Sequence, residues 1–231
     1  MERVPEPELM EEKEQVISYD GADFSEGEIN LISQINHYLL RKNIFLGKKD
    51  LIVDLGCGPG NISEKLAIKW PNTEVIGIDG SKEMILRAEY NKNISTNKKK
   101  FKNLSYICSD IKDFKSNNLL FNKEISLLVS NSLIHHITNL EDFFNTIKDL
   151  SSNTTVNFHK DLRRPLDEKS ALELKAECSA KYNDILTNDY YASLRASYTF
   201  KELKNFTLEN DLYSLDVFEE GDKYLIVYGN V

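Results

Sequence analysis

Apolar and polar positions along this chain alternate between short β-rich runs, each stopping at polar residues, and longer stretches with helical spacing. The run L-I-V-D-L from Leu51 breaks into glycine at every second position, Gly56, Gly58 and Gly60, before Ile62, Leu66 and Ala67 resume at helical intervals. That pattern predicts strand, tight turn and helix. Val75 to Ile78 forms a second strand ending at Asp79, and Ser81 caps a helix whose Met84, Ile85 and Ala88 face inward. Leu104 to Cys108 is a third strand, and the almost wholly apolar Ile125 to Ser130 suits a fourth, central strand buried on both faces of a parallel sheet. Thr154 to His159 reads as the fifth.

The helices follow the same logic. Ser25 and Glu28 have capping-box spacing for a helix through Arg41, with Ile29, Ile32, Ile35, Tyr38 and Leu39 on its buried face. Thr138 with Glu141, and Thr199 with Glu202, repeat that spacing before two later helices, the second carrying Leu203, Phe206 and Leu208 on its apolar side. Two further helices, Ala171 to Tyr182 and Asp189 to Tyr198, are expected between the fifth strand and the last core helix. Ser214 to Phe218 and Tyr224 to Tyr228 flank a turn and predict a terminal hairpin. Strands alternating with helices predict an α/β fold, mostly parallel, with helices on both faces.

Composition narrows the function. A chain of 231 residues, 41% hydrophobic, supports one sizeable core. Its net charge of -8 argues against a general nucleic-acid binder, whose affinity comes largely from Lys and Arg on phosphates. Lys98, Lys99 and Lys100 lie in an asparagine-rich run without stacking aromatics and read as a solvated loop. Cys57, Cys108 and Cys178 are widely spaced and suggest neither a disulfide framework nor a zinc site, so no metal is assigned. The N-terminus lacks the apolar segment of a signal peptide, and no run is long enough to span a bilayer; a cytoplasmic protein is expected. Residues 1–17, with two prolines and many glutamates, read as an extended, solvated arm leading into a short acidic helix.

The glycine loop lets a ligand lie on backbone near a helix N-terminus, and Asp79 at a strand's carboxyl end suits two ribose hydroxyls. The dinucleotide fingerprint G-x-G-x-x-G fails here, because Asn61 occupies its third glycine position. The spacing D-x-G-x-G-x-G from Asp54, followed by the acidic Asp79 after the next strand, resembles motif I and its successor in class I S-adenosylmethionine-dependent methyltransferases. The resemblance is strongest over residues 51–137. It implies a Rossmann-like sheet of seven strands with an antiparallel terminal hairpin strand, and the cofactor S-adenosylmethionine with product S-adenosylhomocysteine. Carried over residue by residue, it assigns cofactor contacts to Asp54, Gly56, Cys57, Gly58, Asp79, Gly80, Asp110, Ile111, Ser130 and Asn131. Met84 either reaches the adenine or packs the core.

The segment Ser130-Asn131-Ser132-Leu133-Ile134-His135-His136 lies past the fourth strand, where a methyl acceptor belongs. It lacks the N-P-P-[YF] signature of amino-methylating DNA and glutamine enzymes and looks like bacterial small-molecule methyltransferases. Neutral imidazole is a plausible base near pH 7. Adjacent histidines do not easily share one pocket, so His135 is taken as the catalytic candidate, with His136 beside it. Tyr19, Asp161, Arg163, Arg164, Tyr190 and Tyr191 are the other acceptor-side candidates, and Asp23 accompanies Tyr19. The Arg163-Arg164 pair either forks an anionic acceptor or braces a cap through Asp161, Asp167 or Glu168. The whole chain is expected to be one methyltransferase domain, with residues 1–45 as arm and helix over the cofactor and 166–198 as an inserted helical cap. Its expected activity is methyl transfer to a small molecule. RNA or protein as acceptor, and a non-catalytic cofactor-binding regulatory or partner-binding protein, are the alternatives.

Overall fold

The computed structural model describes residues 1–7, 9–94, 101–111, 113 and 124–231, so the lysine run at 98–100 lies outside the described residues. Seven strands form one sheet: β1 (Leu51–Leu55), β2 (Glu74–Asp79), β3 (Leu104–Cys108), β4 (Ile125–Asn131), β5 (Val156–Leu162), β6 (Leu215–Glu220) and β7 (Tyr224–Gly229). Their order is β3-β2-β1-β4-β5-β7-β6. Neighbours among β1 to β5 pair parallel, while β7 runs antiparallel to both β5 and β6. The strand order reverses between β1 and β4, and open α/β sheets place ligands beyond the carboxyl ends of the strands at that point.

Both faces are covered, which explains the unbroken apolar runs of β1 and β4. On one face α2 (Ser25–Arg41) and α3 (Asn61–Lys69) bury Leu31, Ile35, Leu39 and Leu66 against Ile52, Leu127 and Val129. On the other, α5 (Leu140–Leu150) and α8 (Phe200–Glu209) bury Phe143, Phe144, Ile147 and Leu203 against Val53, Leu55 and Leu128. Burying a side chain of this size contributes about 1.5–3 kcal/mol. The remaining α-helices among the described residues are α1 (Lys13–Asp20), α4 (Lys82–Ile94), α6 (Glu168–Ser179) and α7 (Asp184–Ala196). No helix among the described residues is long and apolar enough to cross a membrane.

Several local expectations are corrected. The Thr199–Glu202 capping box forms at α8, but the other two do not. At α2 no side chain caps the helix; Glu28 turns inward and accepts hydrogen bonds from Asn61 Nδ2 (2.9 Å) and Lys65 Nζ (2.5 Å) on α3. Ile29 is 60% exposed, and Leu31 is buried instead. At α5 the cap is Asn139, which accepts from the Glu141 N–H (3.1 Å). α7 begins at Asp184, five residues before the expected Asp189, because Asn183 caps it by accepting from the Leu186 N–H (2.9 Å). Finally, β5 continues beyond His159 to Leu162. Its polar tail is extended because Lys160, Asp161 and Leu162 pair with Ile226, Leu225 and Tyr224 of β7.

Candidate functional site

A cavity of about 860 Å³ lies over the carboxyl ends of β1, β2 and β4. Its floor is the glycine loop between β1 and α3. Gly58 holds a φ of +52°, a left-handed conformation that side chains rarely adopt, and the space above it is open apart from Met84 Sδ at 4.0 Å from where a Cβ would stand. The Gly58 N–H donates to Asp79 Oδ2 and the Ser81 N–H to Asp79 Oδ1, both at 2.8 Å. Each Asp79 oxygen has therefore used one acceptor position and retains another. Burial raises the Asp79 pKa against the lowering effect of these two N–H groups.

Asp54, next to last in β1, lies beneath this floor, buried, and accepts from Ser63 Oγ at 2.6 Å. Burial pushes its carboxyl up to about 7. Gly56, Cys57, Gly80, Met84, Asp110, Ile111 and Asn131 also line the cavity. Burial raises the Cys57 thiol well above its ordinary range, so the thiolate is disfavoured there. Ser130 is the exception among the expected cofactor contacts. It sits wholly within the sheet with its Oγ 2.9 Å from His159 Nδ1, below the cavity.

The N-terminal arm stays largely exposed, as expected, with Glu2, Val4, Pro5, Pro7, Glu11 and Glu12 facing outward, but it is pinned to the body at a few residues. Arg3 donates from Nε to the Ala196 carbonyl (2.5 Å) and from Nη2 to the carbonyls of Ile137 (2.9 Å) and His135 (3.1 Å), with its guanidinium 3.9 Å from the Tyr198 ring centroid. Further along, Ser81 Oγ donates to the Met10 carbonyl (2.7 Å). Leu9 packs so closely on Gly80 that a Cβ there would meet Leu9 Cδ2 at 2.7 Å. At the end of α1, Asp20 accepts from Arg87 Nε (2.7 Å) and Asn91 Nδ2 (2.6 Å) of α4. The arm is thus a strap across the cavity mouth. Pro5 and Pro7 hold its backbone extended around Glu6, the residue that turns inward.

On the acceptor side, β4 ends in Asn131 and the chain turns sharply at Ser132, a non-glycine residue with φ of +58°. A short 3-10 turn, Ile134–His136, follows. Asp161 anchors it: Oδ1 lies 2.5 Å from His135 Nδ1, and Oδ2 accepts from the Ile134 N–H at 2.5 Å. Both His135 and His136 line the cavity, so the expectation that only one would face it is corrected. Their rings lie 4.3 Å apart, tilted by 35°, which lets neighbours share one wall. His135 Nε2 and His136 Nδ1 stand 3.5 and 3.3 Å from Glu6 Oε1. Burial by itself would lower the His135 pKa, but the Asp161 carboxylate and Glu6 outweigh it and the net shift is upward. Burial raises Glu6 as well.

Tyr19, Asp23 and Tyr190 line the cavity as expected, the Tyr19 ring packing tilted on Phe24 with centroids 5.1 Å apart. Asp161 acts from behind His135. Arg163, Arg164 and Tyr191 lie outside. Arg163 points across the hairpin, donating to Glu219 Oε1 (2.7 Å) and the Asp222 carbonyl (2.9 Å). Arg164 is buried on Glu202 Oε1 (2.6 Å) and the Ser197 carbonyl (3.3 Å). Neither arginine pairs with Asp161, Asp167 or Glu168: Arg163 braces the terminal hairpin and Arg164 holds α8 and the end of α7. Because β5 extends to Leu162, both arginines fall past the strand end, where the chain bridges to Tyr198 and leaves the cavity. Tyr191 bonds Glu168 and lies under Lys175.

Glu6 and Lys160 are among the lining residues that escaped the sequence reading. Glu6 was hidden among outward glutamates, its only local signal being the flanking prolines. Lys160 was placed past a strand end; in fact it is buried within β5, paired with Glu220, its Nζ 4.5 Å from the Tyr224 ring centroid.

Comparison with known proteins agrees with this architecture. Trans-aconitate 2-methyltransferase of Afipia carboxidovorans is 54% identical over 37 residues, 16% of this chain and 14% of the relative. That of Mycobacterium tuberculosis is 27% identical over 105 residues, 46% of this chain and 34% of the relative. The matches thus span only about a third or less of these curated relatives' lengths. Among solved structures, the plantazolicin methyltransferase BpumL in complex with a pentazolic desmethylPZN analog and SAH has a TM-score of 0.70 at 17% identity, covering 95% of this chain and 91% of that one. A SAM-dependent methyltransferase from Aquifex aeolicus has a TM-score of 0.64 at 16% identity, covering 95% and 98%. These two share the fold. A family model described as methyltransferase domain matches residues 46–204, from just before β1 into α8, and by that match this chain belongs to the methyltransferase domain family.

Proposed function

We propose that the chain is an S-adenosylmethionine-dependent methyltransferase acting on a small molecule. The observation that carries this reading is the junction of Gly58 and Asp79. The glycine loop and the second-strand carboxylate meet through a 2.8 Å hydrogen bond, with one acceptor position left on each Asp79 oxygen for a pair of vicinal hydroxyls. The lining fits the rest of such a ligand. Met84, Ile111 and Leu9 offer apolar surface to a purine beside Asp110, and Asp54 offers a buried carboxyl to an ammonium group. When bound, S-adenosylmethionine supplies a methyl group on a sulfonium whose positive charge disappears as the methyl is transferred.

The protein's own part is then to hold the acceptor at attack distance, exclude water and manage the acceptor's proton. The strap and helices α6 and α7, which act as a cap, close the cavity over that reaction. The acceptor lies between the His135–His136 corner and Tyr190, on a wall where Lys160 is already paired with Glu220 and the two arginines are engaged elsewhere. His135, oriented by Asp161, activates the acceptor's nucleophilic atom. Direct proton abstraction by Nε2 requires Glu6 to move aside, because the carboxylate now stands 3.5 Å from that nitrogen.

The test is incubation of the protein with methyl-labelled S-adenosylmethionine and a fractionated metabolite pool. The expected result is S-adenosylhomocysteine together with one labelled small product identified by mass. Binding of the donor without turnover on any acceptor would leave a cofactor-binding protein and defeat the proposal.

A further inference from the structure

We propose that Glu6, His135 and His136 form a binding site for one divalent transition-metal ion, with zinc the best match to the donor set, on the acceptor wall of the cavity. Donors bonded to zinc at about 2.0–2.1 Å in tetrahedral geometry stand roughly 3.3–3.4 Å from one another. Glu6 Oε1 lies 3.5 Å from His135 Nε2 and 3.3 Å from His136 Nδ1, close to that spacing. The three donors all fall within 4.8 Å of one another.

A second observation is independent of spacing. Glu6 Oε1 is buried, on a side chain only 10% exposed, and makes no hydrogen bond despite its two imidazole neighbours. A buried carboxylate oxygen left in that state costs free energy unless something else satisfies it. Donors converging on a common ion have this arrangement, since their lone pairs point at the metal and not at each other. His136 Nδ1 also has the Pro7 carbonyl at 3.4 Å, a long contact that ligation would replace.

The surroundings match those of a metal ligand. Metal-binding histidines characteristically donate their other ring N–H to a carboxylate, and Asp161 sits 2.5 Å from His135 Nδ1. Ser193 Oγ donates to the second Glu6 oxygen at 3.4 Å. Three protein donors leave a fourth tetrahedral position open, as in catalytic rather than structural zinc sites. All three residues line the cavity, so that position is available to a water or an acceptor oxygen, whose pKa the ion would lower. His135 would then activate the acceptor as a ligand, with Glu6 left where it is. The strap becomes part of the site, because Glu6 comes from it and the two histidines from the turn after β4.

Metal binding is measurable without donor or acceptor, so its outcome is separate from that of the methyl-transfer proposal. The chelator-stripped full chain is titrated with Zn²⁺ by calorimetry and with Co²⁺ by visible absorption. One equivalent should bind, with Co²⁺ giving the intense bands of a low-coordinate site and Zn²⁺ displacing it. Glu6→Gln and His136→Gln should each weaken binding by more than the roughly 10–100-fold typical of an outer-shell partner, and Asp161→Asn by about that range. His37→Gln, at an exposed histidine outside the cavity, should leave affinity unchanged. Far-UV circular dichroism and melting temperature without metal establish that each variant is folded, and Glu6 lies on the strap and outside the core. Absence of stoichiometric binding, wild-type affinity in folded Glu6→Gln, or loss of binding in His37→Gln overturns the proposal.

Discussion

Asp161 joins the end of β5 to the turn after β4 through His135: its Oδ1 lies 2.5 Å from the imidazole Nδ1 while the same carboxylate accepts from the backbone N–H groups of Ile134 (2.5 Å) and Leu162 (2.7 Å). The pairing makes Nδ1 the donor and directs Nε2 toward the cavity. Asp161→Asn keeps the shape but removes the charge. Turnover should fall by about 10–100-fold while S-adenosylmethionine affinity, measured by calorimetry, changes little. An equal loss in both would mean that the residue only shapes the cavity.

Asp79→Ala should weaken S-adenosylmethionine binding by about 1–3 kcal/mol, since it removes two ribose acceptors and the partner of the Gly58 N–H. Calorimetry with S-adenosylmethionine, S-adenosylhomocysteine and NAD checks this. The first two should bind wild type and NAD should not.

Arg3→Ala should release the strap. Hydrogen bonds from a charged donor contribute about 1.5–3 kcal/mol, and Arg3 makes three shorter than 3.2 Å with carbonyls of two separate segments. A loss of about 2 kcal/mol in urea unfolding is expected, with faster amide exchange confined to residues 1–12 and faster cofactor release.

His159 predicts the acid side of the stability profile. Burial drives its pKa from 6.5 down to about 3, so the folded protein keeps it neutral while the unfolded chain protonates it below about pH 6.5. Its contribution is complete above that pH and declines as pH falls toward 3, by about 1.4 kcal/mol per unit within the window. Compared with wild type, His159→Gln should lose this share of the pH dependence. Parallel unfolding curves for the two proteins across pH 4–7 would refute the assignment.

Arg163→Ala should leave the acceptor KM unchanged, because the guanidinium is engaged on the hairpin by Glu219 and the Asp222 carbonyl. Steady-state kinetics with the identified acceptor provides the check.

Local periodicity and turn chemistry, acting over a few residues, determined much of this protein by themselves. The run from Leu51 through Ala67 could only fold as strand, glycine turn and helix, and Asp79 and Asp110 follow at strand ends. The donor half of the cavity was therefore legible as one continuous βαβ unit. The Thr199–Glu202 cap was legible for the same reason, since its partners are three residues apart. Tertiary contacts decided the rest. Glu28 has capping-box spacing yet pairs with α3, which no local rule contains. Most of the strap's glutamates do face water, as local rules imply, but Arg3 finds its acceptors more than 130 residues away and Glu6 turns in against histidines about as distant. Likewise Asp161 and Leu162 are strand because β7 pairs with them, and Lys160 because both β4 and β7 do; that pairing puts Lys160 in the cavity wall and leaves Arg163 and Arg164 outside it. Short-range spacing specifies elements and the ligands carried on their ends. Which face a charged side chain presents depends on partners brought together by folding, because a buried charge is tolerated only where another segment supplies its counter-charge or hydrogen bonds.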